Sequence, residues 1–421
     1  MLREFIDIPL NCCIFVTMKF VGKYLVAVVA CVLSIIGAKA QDAGMEDSVP
    51  RISLLTCHAG SVMYELCGHT ALRVQYLGED LAVNYGLFEF ATDNFAIKFL
   101  KGETDYRVGA YPFDYFLHNY ARQDRRVVEQ ELNLTPEQAK KLFDLLVINL
   151  RPENCVYRYN YVKNNCATKP IDVIELAVGN EIKFNEPSID GAEEWTFRRE
   201  MRHFHQNYAW YQLGIDLALG SGIDYKLPTR EKMFAPEALE TMMRGATVVD
   251  STGITIPIVK REVVWHEGHP AQLPPTPWWC SPMFVFSMLL VAVIAFTVRD
   301  VRRRQVSRSV DTLVYGVYGI VGVLLSFLVF VSVHEATSPN WNIVWLNPLA
   351  LIPAVGVWLK KLKPIVLWYH FANFVVILLL MLCWPFTGQT INVAILPLMA
   401  VIVIRSASYI YISKCQKRKI A

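Results

Sequence analysis

Downstream of Trp278 the chain carries five apolar runs in series, at about 281–298, 312–333, 342–358, 364–384 and 391–412. Each is long enough to cross a hydrocarbon core of about 30 Å. The third is interrupted by Asn347 and Pro348. The charges between the runs set an orientation. Arg299, Arg302, Arg303, Arg304 and Arg308 follow the first run, Lys360, Lys361 and Lys363 the third, and Lys414, Lys417, Arg418 and Lys419 the fifth. The links after the second and fourth runs have no Lys or Arg. Lys and Arg accumulate on the cytoplasmic side of membrane proteins. The pattern therefore predicts five crossings, a cytoplasmic carboxy terminus, and a preceding segment on the far side of the membrane. Trp278 and Trp279 fall at the outer interface of the first crossing, where amphipathic rings are favoured. Only 19% of residues are charged, against about 25% in soluble domains.

The other end of the chain predicts the same orientation independently. Lys19 and Lys23 precede an apolar stretch from Tyr24 to Ile36, and Ala38-Lys39-Ala40 reads as a signal-peptidase site. The residues before Met18 read as an upstream extension, and the alternative for the apolar stretch itself is an uncleaved anchor. Three regions result: 1–40, extension and signal peptide; 41–275, a periplasmic domain; and 276–421, a five-span membrane region.

The middle region is mixed in polarity. Ile52–Cys57, Ala71–Tyr76 and Leu81–Phe90 read as strands. Thr135-Pro136-Glu137-Gln138 has the pattern of a capping box with proline in the first turn. Leu142, Leu145, Leu146 and Leu150 follow at helical spacing, and Pro152 ends the helix. A second helix is predicted from Pro170 to about Val178, stopped by Gly179-Asn180. The net charge of +3 and the lack of a basic stripe with interleaved aromatics give no sign of nucleic-acid binding. The ten cysteines include no CxxC pair, so no metal or other cofactor is expected. A disulfide among Cys57, Cys67 and Cys155 is permitted in an oxidising compartment.

Two segments carry chemistry. In Cys67-Gly68-His69-Thr70-Ala71, a Gly-His step enters a strand. In Tyr159-Asn160-Tyr161-Val162-Lys163-Asn164-Asn165-Cys166, a turn presents a thiol just before a helix. The positive end of the helix dipole stabilises a thiolate there, and an imidazole nearby makes a nucleophile–base pair. The plainer alternative is that Cys166 is a buried structural cysteine and His69 a strand end. Arg122, Arg125 and Arg126 near Tyr120 read as a solvated face with an option on lipid phosphates. His203 and His205 read as surface residues, and Asp216 and Asp224 as turn-formers among glycines. His334, Glu335, Asn340, Asn342 and Asn347 gather on the outer side of the second and third runs, where polar groups serve the headgroup layer or a function. His370 and Arg405, inside apolar runs, have no evident partner.

The stretches LLTCHAGSVMYELCGHTALRV, AVNYGLFEF and YRYNYVKNNCATKPIDVIE resemble the amino-terminal domain of the Lnb-type lipoprotein N-acyltransferases. GIDLALGSGIDYKLPTREKMFAPEAL and HEATSPNWNIVWLNPLALI resemble the same family, so the likeness covers most of residues 50–350. The order of Gly-His at a strand and Asn-Cys at a helix is also similar to permuted papain-like folds of the NlpC/P60 type. The resemblance implies an α+β permuted papain-like domain followed by an all-α bundle of five transmembrane helices. It implies Cys166 as nucleophile and His69 as general base and acid. Asn84, on the next strand, is the expected orienting residue, with His58 as rival. Tyr85, Asn165, His58, His334 and Asn342 are possible substrate-site residues.

The expected activity is transfer of an acyl chain from a phospholipid donor, through a Cys166 thioester, to the α-amino group of a diacylglyceryl-cysteine lipoprotein at the bacterial inner membrane. An envelope cysteine hydrolase acting on peptidoglycan or peptides would use the same pair, and a non-enzymatic envelope protein would need neither residue.

Overall fold

The computed structural model describes residues 48–88, 94–179, 182–186, 195–250, 252–269 and 274–418. The predicted signal peptide and its upstream extension lie outside the described residues. A sheet-rich domain comes first and a helical region follows.

The sheet has seven antiparallel strands in the order β6-β4-β3-β2-β1-β5-β9. They are β1 (Arg51–Cys57), β2 (His69–Tyr76), β3 (Glu79–Leu87), β4 (Asp105–Pro112), β5 (Val127–Leu132), β6 (Val156–Arg158) and β9 (Val259–His266). A two-stranded ribbon, β7 (Thr247–Val249) with β8 (Thr255–Pro257), stands apart. Period-two alternation divides the central strands between two cores. Ile52, Leu54, Leu72, Val74, Val83 and Tyr85 face one side. There they meet α3 (Pro136–Leu150), α4 (Thr168–Val178) and α8 (Pro236–Gly245). Leu55, Cys57, Ala71 and Ala82 face the other side, against Phe113 and Phe116 of α2 (Phe113–Arg122).

Local chemistry accounts for the element ends. Thr135 and Gln138 form the reciprocal capping box of α3, and Gly179 at φ +93° closes α4. β3 ends at Leu87, with a register shift against β4 between Asn84 and Leu87; positions 89 and 90 of the expected strand lie outside the described residues. Cys57, Cys67, Cys155, Cys166 and Cys280 are all free thiols, so the permitted disulfide among Cys57, Cys67 and Cys155 is not formed.

Among the described residues, four helical segments are long and apolar enough to cross a membrane: Pro282–Arg303, Arg308–Phe330, Lys360–Phe386 and Val393–Gln416. They correspond to α9 (Pro282–Arg303), α10 (Arg308–Phe330), α12 (Lys363–Cys383) and α13 (Leu396–Arg418). The third apolar run is a shorter helical stretch, Trp341–Gly356. Its two 3-10 turns and α11 (Leu351–Gly356) are separated at Asn347. Asn347 accepts the Leu349 N–H, and Pro348 has none to donate, so a continuous helix cannot form. The broken segment nevertheless runs the length of α10. Asn347 packs on Gly322 and Leu351 on Gly319, with no room for a Cβ at either glycine. Thr312, near the start of α10, donates to Ala354 O and accepts from Trp358 Nε1 at 2.7 Å.

Two polar clusters lie inside the bundle. Arg405, 1% exposed, bridges Asp300 at 3.0 Å and Asp311 at 2.6 Å, tying α9, α10 and α13 together. His370 Nδ1 lies 3.3 Å from Tyr315 Oη and 3.2 Å from Ser406 Oγ. These contacts supply the partners that the sequence left unassigned.

The two halves interlock. The segment α6 (Ala209–Ala218) precedes the first span, yet Leu213, Trp210 and Leu217 pack in the bundle's core. Trp210 Nε1 donates to Cys280 O. Above them Arg198, on α5 (Phe197–Phe204), pairs with Asp216 at 2.9 Å and Asp224 at 2.8 Å, all three side chains being 1% exposed. Asn392 donates to the second Asp216 oxygen at 2.8 Å. Asp216 and Asp224 are therefore members of a buried ion cluster rather than turn-formers. His205 is likewise buried, against Gln212, rather than on the surface.

Candidate active site

The site lies where β2 begins and α4 begins. Gly68 precedes His69 at φ +80°, and a Cβ there would stand 2.6 Å from Cys57 O. Only glycine admits this entry into the strand. The register pairs Ala71 with Asn84. His69 and Asn84 are therefore diagonal neighbours on the α2 face of the sheet. His69 Nε2 and Asn84 Oδ1 are 3.0 Å apart. Asn84 Nδ2 donates to Ala82 O at 3.0 Å, which fixes the amide with its oxygen toward the ring. The Nε2 atom of His69 consequently carries the proton, and the lone pair is on Nδ1. Tyr120 stacks on the imidazole with ring centroids 6.1 Å apart.

Cys166 comes from the opposite side of the sheet. Asn165 builds its turn: Oδ1 accepts the N–H groups of Ala167 and Thr168 at 2.8 and 2.9 Å. Its Nδ2 donates to Tyr161 O and Phe234 O. The side chain thus caps α4 and staples the turn to the chain before α8. Cys166 then sits over Gly86, where a Cβ would come 3.4 Å from Cys166 Cβ and 3.6 Å from Tyr159. Gly86 is at φ +85°. The thiol interacts with the backbone N–H of Thr70, the residue next to His69, and with its own N–H. Tyr159, stacked on Tyr106 at 3.9 Å, walls the turn.

Burial sets the protonation of the pair. It pulls the pKa of His69 down to about 4, against the Asn84 hydrogen bond and with the Arg125 charge in support. Burial pushes the Cys166 thiol above its ordinary value, opposed by the two N–H groups and by Arg125. Both shifts favour the uncharged forms, thiol and neutral imidazole, over an ion pair.

Two family models match the chain: the Lnb N-terminal periplasmic domain over residues 41–199, and the Lnb transmembrane domain over residues 275–418. The chain belongs to the Lnb family. No curated protein and no solved structure gives a significant match. Membership makes the chain a multi-pass membrane protein of the bacterial envelope and points to an enzyme of the lipoprotein N-acylation type.

The remaining expected site residues lie elsewhere. Tyr85 is 1% exposed on the α3 side of β3 and accepts from Asn149, so the strand's alternation turns it away from Asn84. His58 bonds Glu240 at 2.9 Å and approaches Glu237 at 3.7 Å. Burial works against its charge, but these carboxylates leave its pKa raised. Asn165 is a brace behind the thiol. His334 Nε2 donates to Phe99 O at 2.8 Å. Asn342 is buried and donates to Asp216 O at 3.2 Å. Both fasten the sheet domain to the spans.

Arg125 was expected on a solvated face, yet its side chain is 4% exposed. Its Nε donates to His58 O at 2.8 Å, and its guanidinium lies 4.8 Å over Tyr120. The sequence offered no sign of this placement beyond the proximity of Tyr120.

Proposed function

We propose that the protein transfers an acyl chain from a membrane phospholipid to the α-amino group of a diacylglyceryl-cysteine lipoprotein. The observation that carries the reading is the Cys166 thiol at the backbone of Thr70, the residue that follows His69, whose ring is held by Asn84. A helix-borne thiol, a strand-borne imidazole and an amide on the next strand are also the arrangement of a permuted papain-like domain.

His69 Nδ1 takes the thiol proton as sulfur attacks the phospholipid ester carbonyl. The tetrahedral oxyanion is held by backbone N–H groups at Cys166 and Thr70, since Asn165 occupies those of Ala167 and Thr168. His69 returns the proton to the departing lysolipid oxygen, leaving a thioester. The lipoprotein amine then attacks, His69 removes its proton, and collapse returns the sulfur as thiol with an amide formed. A neutral resting pair suits this cycle, because His69 must be an unprotonated base at the start of both halves.

The topology is part of the proposal. The broken third segment reaches from the outer to the inner end of α10, which supports five crossings. The arginines after α9 and the lysines after α11 then share the cytoplasmic side of the inner membrane with the carboxy terminus. Both substrates are anchored by acyl chains, and a site attached to the bilayer meets them at high effective concentration.

The test is the acylation state of lipoprotein amino termini, read by mass spectrometry, in cells carrying Cys166→Ala or His69→Ala. Free amino termini and accumulated diacyl forms are expected. Unchanged triacyl termini would refute the reading, and muropeptide cleavage by the full-length protein would favour a hydrolase.

A further inference from the structure

α1 (Phe95–Lys101) stands at the seam between the sheet domain and the spans. It is held there by the connector that follows α10. Val333 N donates to Lys101 O and His334 Nε2 to Phe99 O, both at 2.8 Å. Gly102 packs so closely on His334 that a Cβ would come within 3.1 Å of the ring. Despite these ties Ile97 is 55% exposed and Phe99 49%. The outer end of α10 continues the surface: Phe330, Val331 and Val333 are 75%, 54% and 60% exposed. Further along α10, Ile320 and Leu324 are exposed too. On a membrane-spanning helix such residues face hydrocarbon. The exposed apolar residues of α1, set on different sides of its short helix, thus adjoin a lipid-facing surface. Exposed Lys98 and half-buried Lys101 add positive charge there, Lys101 with Glu103 3.9 Å away.

The same connector also holds the nucleophile's turn. Glu335 pairs with Lys163 at 2.8 Å, three residues before Cys166. Arg158, leading into that turn, donates to Gly102 O at 3.2 Å and bonds Asp105. β4 leaves α1 and brings Tyr106 onto Tyr159 beside the thiol. One short segment, 331–337, therefore contacts both α1 and the turn that carries Cys166.

We propose that α1, with the outer end of α10, is the docking surface for the donor glycerophospholipid of the outer leaflet. Ile97 and Phe99 lie among its acyl chains, Lys98 and Lys101 meet its phosphate, and the ester is presented toward Cys166. This rests on the acyl-transfer reading for its last step only. Charge complementarity and continuity with the lipid-facing side of α10 select a phospholipid over a protein partner.

The experiment uses the full chain in nanodiscs of phosphatidylethanolamine and phosphatidylglycerol, comparing the native protein with Ile97→Asn/Lys98→Glu. Acyl-thioester on Cys166 is measured by intact mass, once with the nanodisc lipids as donor and once with p-nitrophenyl butyrate, a water-soluble ester. A fall on the order of ten-fold with the lipid donor, with the soluble ester unchanged, is expected. Equal rates in variant and native protein, or losses that match for both donors, would overturn the proposal. In parallel, photoactivatable phosphatidylglycerol is expected to label residues 95–101 in the native protein and much less in the variant. Labelling without any thioester in the native protein would retain the docking surface and refute the chemistry. Thioester formation with no labelling of α1 would do the reverse.

Discussion

Asn84 holds His69 by one atom and the backbone by another: Oδ1 is 3.0 Å from Nε2, and Nδ2 is 3.0 Å from Ala82 O. An amide pinned in this way cannot flip, so it dictates which imidazole nitrogen is the base. Asn84→Ala should lower thioester formation by about 10–100-fold through misdirection of the ring. His69→Ala should cost about 10²–10⁴-fold. Protein levels should stay unchanged in both. An Asn84→Ala protein with native rates would show that the ring is oriented by Tyr120 alone.

The acid limb of the pH profile should be displaced. The base must be neutral, and its pKa is held at about 4 by burial. The rate should stay level as pH falls from about 8 to about 5 and drop only near 4, well below the ordinary histidine value of about 6.5. Because the Asn84 bond favours the charged ring, its removal should move this limb lower still. Single-turnover acylation across the pH range measures it, and a midpoint at 6 to 7 would show a solvated imidazole.

Asn165 makes two capping contacts and two staples while touching no reacting atom. Asn165→Ala should destabilise the domain by about 1–3 kcal/mol, the range for a lost cap and unsatisfied buried groups. It should also slow Cys166 alkylation by loosening the turn. Thermal unfolding in detergent and alkylation kinetics together separate this from a substrate-binding role, which would leave the melting temperature unchanged.

Arg198→Met leaves Asp224 without its cation and Asp216 with Arg202 alone, at 3.2 Å. Breaking such a buried pair costs about 3–5 kcal/mol. The expected phenotype is loosened docking of α5 and α6 on the spans, seen as new protease cleavage between residues 195 and 225. Lys163→Gln removes an exposed pair with Glu335 and should change stability by less than about 1 kcal/mol, although it frees the catalytic turn from the connector.

What the sequence disclosed follows from what is local. The apolar runs, the Thr135 capping box and the Gly-His and Asn-Cys steps are each written in a few consecutive residues. Asn84 was named through the resemblance, which places an orienting residue on the strand after His69; its register opposite Ala71 was not legible. Tyr85, its neighbour, is turned to the other core by strand alternation. The ion cluster of Arg198, Asp216 and Asp224 and the burial of Arg125 depend on tertiary approach, which no local pattern encodes. The break at Asn347 and Pro348 was visible, but the fact that α10 offers Gly319 and Gly322 to receive the broken segment was not. Strands β4 to β9 were missed: β6, β7 and β8 span three residues each, and β5 (VVEQEL) and β9 (VKREVVWH) carry charged residues that break the apolar alternation.

Leu213 and Trp210 belong to the bundle's core although the chain reaches them before any span. A soluble fragment ending ahead of Pro282 would carry α6 with nothing to sit on, a greasy flap beside the reactive thiol. Purifying the water-facing half alone should therefore yield aggregates, and inhibitor screens will need the whole polypeptide in detergent or lipid.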